Sequence, residues 1–281
     1  MLTIESTAAV LGATMRGIDL AQELGEPVFA RILQGLGRHG VLCFPDQRLN
    51  VPDMQRFSER FGEIQGSITR PPDPFQAQHP DVRILSNLRQ DGKCIGSPDT
   101  GQDWHTDMSC RDAMGFVNVL YGIRIPCRNG KPLGGTEFAN MHMVYDALPT
   151  TNQGGPGNMS ATHDFEKFWE NMRQKQGSSR PALTDEQRKR WPPVVHPVFV
   201  HPITGNTVLY ANPCYTVCIN QLPQHESDAM LKFLFALQLQ RRFRWTHEWT
   251  ENDLLIWDHL GTIHRAITDY GPDEIRLMRC C

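Results

Sequence analysis

The stretch "DWHTDMSC", residues 103–110, sets His105 and Asp107 two positions apart around Thr106, a good strand former. On a β-strand, residues i and i+2 face the same way, so a strand here aims an imidazole and a carboxylate at one point. A second such pair, His79 and Asp81, lies in "QHPDVRIL" (78–85). Its middle residue is Pro80, which removes a ladder donor and biases His79 toward an extended turn entry. The second pair is therefore expected in solvent at the mouth of a strand, and the first inside a barrel, with the apolar strand "FVNVLYGIRI" (116–125) close behind it. With eleven histidines in the chain, His-x-Asp arises by chance, and either pair needs a third partner.

The surrounding chain supplies the frame. Residues 26–38, "EPVFARILQGLGR", space Phe29, Ile32, Leu33 and Leu36 as one helical face. "GVLCFPDQ" (40–47) predicts a buried strand closed by a Pro-Asp turn. "VPDMQRFSERFG" (51–62) predicts a second helix with Met54, Phe57 and Phe61 on one side, ended by Gly62. "DVRILSN" and "GGTEFANM" (134–141) predict further strands, and "TTNQGGPGNMS" a loop. Residues 163–193 are polar and poor in strand signal, and an insertion of this kind at about 155–195 is expected to act as a lid. Strands resume at "HPVFVHPITGNTVLYAN". A helix at about 223–240 carries Met230, Phe233, Leu234 and Leu237 on one face, and "DLLIWDHLGTIHRAI" and "EIRLMRCC" close the chain as strands. Helices do not alternate with strands, which disfavours a doubly wound sheet. Many short strands with a few helices predict an α+β, mainly β, single domain over 1–281, a barrel or sandwich with flanking helices.

The 281-residue length is ample for a full core. The formal net charge of −3 and the absence of a basic stripe argue against nucleic acid or an anionic membrane surface, and "RRFRW" (241–245) reads as element-end surface. The start lacks the basic and apolar regions of a signal peptide, and no apolar run approaches a membrane span, so a cytoplasmic location is expected. Eight scattered cysteines read as reduced thiols; Cys214 and Cys218 form C-x3-C without the second pair a zinc site needs.

A third partner for His105 and Asp107 should come from late in the chain, because a barrel closes late strands beside early ones. "IWDHLGTIHRAITDY" offers His264, with His259 as its rival. Two histidines and one carboxylate make a facial triad that leaves open positions on Fe(II) for a bidentate ligand and O2. Twelve residues further, Arg276 can grip a carboxylate with two parallel bonds, and Thr136 of "GGTEF" can add a hydroxyl.

His-x-Asp at 105–107, "GGT" at 134–136, "WDHLGTIHRA" at 257–266 and Arg276 in "RLMR" together resemble the taurine dioxygenase (TauD/TfdA) family. The resemblance extends to "GATMRGIDL" (12–20), "GVLCFPDQ" and "FSERFGEI", and so spans nearly the whole chain. It implies a double-stranded β-helix (jelly-roll) and an Fe(II)- and 2-oxoglutarate-dependent dioxygenase. His105, Asp107 and His264 would bind iron, and Thr136 and Arg276 the distal carboxylate of 2-oxoglutarate. The implied reaction oxidises 2-oxoglutarate with O2 to succinate and CO2 while hydroxylating a small organic substrate, in many members at a carbon bearing a heteroatom leaving group. Dimers and tetramers are common in the family, and the resemblance implies no more than that about assembly.

Two departures stand out. The family usually has Asn after "WD", where this chain has His259. Taurine-cleaving members place a second Arg four residues after the first; that position is Cys280, and the nearby arginine is Arg279. Three residues along a strand reverse the face, so Arg279 is expected to point away from the site unless a bulge intervenes. The substrate is then expected to be less anionic or bulkier than taurine, or its anion to be gripped by lid residues. Met108, Trp104 and Arg279 are the nearest candidates for the substrate pocket. A non-redox metal-dependent hydrolase would use the same triad without needing Arg276 and Thr136; a non-catalytic small-acid-binding barrel would not need the triad intact.

Overall fold

A computed structural model describes residues 2–65, 75, 78–98, 101–149, 158–175 and 180–281. Most of the stretch read as a loop, 150–157, lies outside the described residues, as does 176–179 within the expected lid.

The strands that matter are β1 (Thr3–Ser6), β2 (Ala13–Arg16), β3 (Val41–Phe44), β4 (Arg83–Ser86), β5 (Val117–Arg124), β6 (Thr136–Asn140), β7 (Ser160–His163), β8 (Val194–Pro197), β9 (Thr216–Ile219), β10 (Arg244–His247), β11 (Leu254–Asp258), β12 (Thr262–Ala266) and β13 (Leu277–Cys280). The helices are α1 (Glu26–His39), α2 (Val51–Glu59), α3 (Met141–Asp146), α4 (Phe165–Arg173), α5 (Asp185–Arg190) and α6 (Gln224–Gln238). The fold is thus mixed α and β. A seven-stranded sheet runs β1-β2-β3-β11-β5-β13-β4, and two three-stranded sheets run β10-β6-β12 and β8-β7-β9. Late strands do lie beside early ones: β11 pairs antiparallel with both β3 and β5, and β13 with β5 and β4.

Alternation along the large sheet builds two cores. Leu42, Phe44, Val119, Tyr121, Leu254 and Ile256 face one way and bury α1 and α2 through Phe29, Ile32, Leu36, Met54 and Phe57. Their sequence neighbours Val41, Cys43, Leu120, Leu255, Trp257, Met278 and Cys280 face the other way and meet Phe138 of the small sheet. Every one of these residues is nearly inaccessible, and each buried large aliphatic or aromatic side chain contributes about 1.5–3 kcal/mol. Helix α1 stops at Gly40, whose left-handed φ of 68° and N–H bond to the Leu36 carbonyl end the helix and turn the chain into β3. Asn50 caps α2 reciprocally with Asp53.

Two expectations change. Phe233 of α6 is 42% exposed; Leu231, Leu234 and Leu237 form the buried face instead, because the helix is rotated to pack against β9. The polar segment 163–193 is not strandless at its borders. It hangs from β7 and β8, which pair with each other, and carries α4 and α5 between them.

Candidate metal centre

The His105–Asp107 pair does not lie on one strand. His105 forms an isolated antiparallel bridge with His264: its N–H donates to the His264 carbonyl at 3.0 Å, and its carbonyl accepts from the His264 N–H at 2.8 Å. Directly opposed residues of an antiparallel pair share a face, so the two imidazoles project together, with ring centroids 4.2 Å apart. The chain then turns rather than continuing the strand. Met108 adopts φ +58°, a left-handed conformation uncommon for a non-glycine residue, and Arg111 N–H closes the turn on the Met108 carbonyl. The chain thus leaves the extended path just after Asp107, whose carboxylate meets both rings.

His264 is placed by the "WDHLGT" turn. Asp258 at the end of β11 accepts the N–H groups of Leu260 and Gly261 through its two carboxylate oxygens. A Cβ at Gly261 would meet Asp258 Oδ2 at 2.5 Å, so glycine lets the carboxylate sit this close to the turn. β12 then pairs with β6, setting His264 opposite Phe138 and Ala266 opposite Thr136.

His105 Nε2 lies 3.4 Å from Asp107 Oδ1, and His264 Nε2 3.3 Å from Asp107 Oδ2. The other nitrogen of His105 is 2.7 Å from the Asp103 carbonyl, which can only accept, so in the neutral ring the proton is on Nδ1 and Nε2 presents a lone pair. A lone pair facing a carboxylate is repulsive unless a cation lies between them. All three ligand atoms fall within 4.8 Å of one another, so the arrangement fits a divalent metal. Asn118 Nδ2 donates to Asp107 Oδ2 at 2.9 Å and orients the carboxylate from outside.

The electrostatics agree. Burial opposes ionisation of Asp107, but the bonds and charges of His105 and His264 prevail and hold its carboxyl well below the usual range. Burial likewise works against charging His105, and Asp107 more than offsets it, so that imidazole is raised. His264 is pushed down to about 4, by burial first and by His105 second. Two other groups of potential ligands exist among the described residues, Cys43–His247–Asp253 and His142–His201–Asp258. In the second, Asp258 already caps backbone and His201 Nδ1 accepts the N–H groups of Ile203 and Thr204, which marks a structural cluster.

Thr136 and Arg276 line the same cavity as His105, Asp107 and His264. Arg276 is buried; its Nε donates to the Gly134 carbonyl at 3.1 Å, and Ser86 Oγ donates to its own carbonyl. The Thr136 hydroxyl oxygen accepts from Trp249 Nε1, which leaves its hydrogen free for an acceptor in the cavity. Gly134 explains the "GGT" signal. Its φ is +72°, and a Cβ there would meet Arg276 Cδ at 2.7 Å.

Of the three pocket candidates, only Met108 borders the adjoining cavity, of about 260 Å³, whose walls include Asp107, Asn118 and His259. Trp104 packs instead into the apolar cluster with Leu260 and Ile263, beneath the Arg265 guanidinium. Arg279 points to the helix side of the large sheet, donating to the Leu49 carbonyl, because it pairs with Tyr121 and follows that residue's face. His259 faces the site, its Nε2 3.5 Å from Asp107 Oδ2 and its ring stacked parallel to His264. Asn118 and Arg83 were missed from sequence. A polar residue inside "FVNVLYG" was a usable signal for Asn118; Arg83 had none, since its placement depends on strand pairing.

The insertion touches the ligand-bearing turn directly. Lys175 pairs with Asp103 at 2.6 Å, His196 Nε2 is 2.9 Å from the Ser109 carbonyl, and Arg111 stacks on Trp191. Phe165 and Phe168 pack within the insertion and on Tyr215, and Trp169 donates to the Pro181 carbonyl, so these aromatics build the segment rather than the cavity.

Mixed sheets carrying two histidines and a carboxylate, beside a buried arginine and hydroxyl, define a metal-dependent oxygenase class. The family model "Taurine catabolism dioxygenase TauD, TfdA family" matches residues 3–281, and the chain belongs to that family. It is 28% identical to pentalenolactone F synthase of Streptomyces avermitilis, over 96% of this chain and 90% of that protein. It is also 28% identical to an alpha-ketoglutarate-dependent 2,4-dichlorophenoxyacetate dioxygenase of Cupriavidus pinatubonensis, over 92% and 89%. The crystal structure of a taurine dioxygenase from Burkholderia xenovorans superposes with a TM-score of 0.76 at 26% identity, covering 99% of this chain and 89% of that one.

Proposed function

We propose that His105, Asp107 and His264 hold Fe(II), and that Arg276 and Thr136 grip the distal carboxylate of 2-oxoglutarate. The protein is an Fe(II)- and 2-oxoglutarate-dependent dioxygenase acting on a small organic substrate. The observation that carries the residue assignment is the convergence of two imidazole lone pairs and one carboxylate on a point, with Arg276 and Thr136 in the same cavity. Bound there, the metal supplies oxidation of 2-oxoglutarate by O2 to succinate and CO2, one oxygen atom entering succinate and the other a substrate C–H bond. The chain's own part is to fix geometry and exclude water. Asn118 and the Asp103 carbonyl orient ligands, Gly134 lets Arg276 approach, and the apolar walls keep the site dry.

The finer architecture is read as a jelly-roll barrel, with the large sheet and the β10-β6-β12 sheet as its two walls, in one domain with the insertion at about 155–195 as a lid. A cytoplasmic setting is proposed with it, supported by eight cysteines that are all free; separately, no described helix is long and apolar enough to cross a membrane. A hydrolase using the same ligands leaves Arg276 and Thr136 without a role.

Anaerobic addition of Fe(II) and 2-oxoglutarate tests the assignment. A weak visible charge-transfer band is expected in the wild type, with succinate release only once O2 is admitted. Metal bound without any band would overturn the 2-oxoglutarate assignment, and turnover without O2 would favour the hydrolase.

A further inference from the structure

Arg83 occupies the junction of the two cavities. It borders both the one holding the ligands with Arg276 and the neighbouring one beneath Met108 and His259. Strand pairing puts it there. Arg83 is the direct partner of Cys280 across β13 and β4, and Cys280 faces the small sheet with Leu120 and Met278. Among the described residues the half-buried guanidinium makes one side-chain hydrogen bond, to Cys280 Sγ at 3.5 Å, and no ion pair with a carboxylate. A thiol is a weak acceptor, and guanidinium stays charged at any working pH. The guanidinium fork thus keeps donors without a strong acceptor at the junction of the two cavities, where a ligand's anion can take them. Asp107 shares both cavities but is already engaged by His105, His264 and Asn118. The second cavity offers apolar side chains at Phe61, Met108, Met114 and Phe116, and polar ones at Ser58, Glu63 and Gln65.

We propose that Arg83 anchors the anionic group of the substrate, a carboxylate or sulfonate on a small apolar body, and holds that body against Met108 and Phe116. This rests on the dioxygenase reading of the same site. It replaces the expectation of a weakly anionic substrate or one gripped by the lid: the cation absent at position 280 is supplied from the strand beside it. Arg83 is thus a specificity-determining residue. The planar fork matches either anion with two parallel bonds.

The test titrates phenoxyacetate, hexanesulfonate and the neutral phenoxyethanol into anaerobic protein holding Fe(II) and 2-oxoglutarate, reading the shift of the charge-transfer band. At least one anion should bind tenfold or more tightly than phenoxyethanol, and which one does distinguishes carboxylate from sulfonate. Arg83→Leu should erase that preference while leaving 2-oxoglutarate affinity within twofold. Arg83→Leu with Cys280→Arg should restore much of it by moving the charge to the paired position, an outcome that loss of folding would not give. Equal binding of anion and alcohol by wild type, no response to either anion, or unchanged anion affinity in Arg83→Leu would overturn the proposal. So would a tenfold loss of 2-oxoglutarate affinity, which would assign Arg83 to the cosubstrate. Calorimetry of the same three compounds on metal-free protein reads the anion preference independently of the band, so a failed dioxygenase reading and a failed Arg83 assignment are told apart.

Discussion

His79–Asp81 and His105–Asp107 carry the same three-residue pattern and end in different chemistry. The first lies in the turn before β4. His79 N–H bonds the Phe75 carbonyl and its ring packs on Phe75, while Asp81 accepts from Gln55 Nε2 at 3.4 Å. Both residues are half-buried, closer to the body than the expected solvent position, yet neither joins a group of potential ligands among the described residues. The second pair bridges β12, meets His264, and is oriented from behind by Asp103 and Asn118. A His-x-Asp pair becomes a candidate metal site through what the rest of the chain brings to it.

The contrast can be broken in graded ways. Asp107→Ala should abolish Fe(II) binding and the charge-transfer band, an effect beyond the 10–100-fold that lost outer partners cost. Retained stoichiometric metal in that variant, by metal analysis after desalting, would sink the triad. Gly134→Ala should displace Arg276 and weaken 2-oxoglutarate by on the order of 100-fold while leaving metal affinity alone. Equal losses of metal and cosubstrate would show general damage instead. Asn118→Ala should lower metal affinity roughly 10–100-fold, because Asp107 loses its orienting donor.

Metal affinity should also depend on pH with a defined sign. Metal and proton compete for the same lone pairs, and the deprotonated ring is the one that binds. As pH falls through the raised pKa of His105, affinity should drop about tenfold per unit, steepening toward about 4 where His264 also protonates. A flat profile of dissociation constants between pH 5 and 7, on the order of the histidine range, would contradict this. The smallest effect belongs to the other pair: His79→Ala should leave metal affinity and the band unchanged, with stability shifted by about 0.5–1 kcal/mol through lost contact with Phe75.

Much of this site was legible in the linear chain. Residue types and their spacing singled out His105, Asp107, His264, Thr136 and Arg276 as candidates, and the structure gathers all five around one cavity. Reversal of face over three strand residues correctly turned Arg279 away. The direct pairing of His105 with His264 was not legible, because it joins segments far apart in the chain. Nor were Phe233 and Trp104, whose burial depends on how α6 and the ligand turn are rotated against neighbours that local periodicity does not see.

By itself, the sequence determined which atoms could ligate and which faces of β3, β5 and β11 were apolar. These follow from side-chain chemistry and from the two-residue period of a strand, both local properties. Tertiary structure alone decided that His259 faces Asp107, that Asn118 orients it, and that Arg83 stands opposite Cys280. Those relations arise from register between strands far apart in the chain. Register is fixed by the burial of whole faces rather than by the residues that end up in the site.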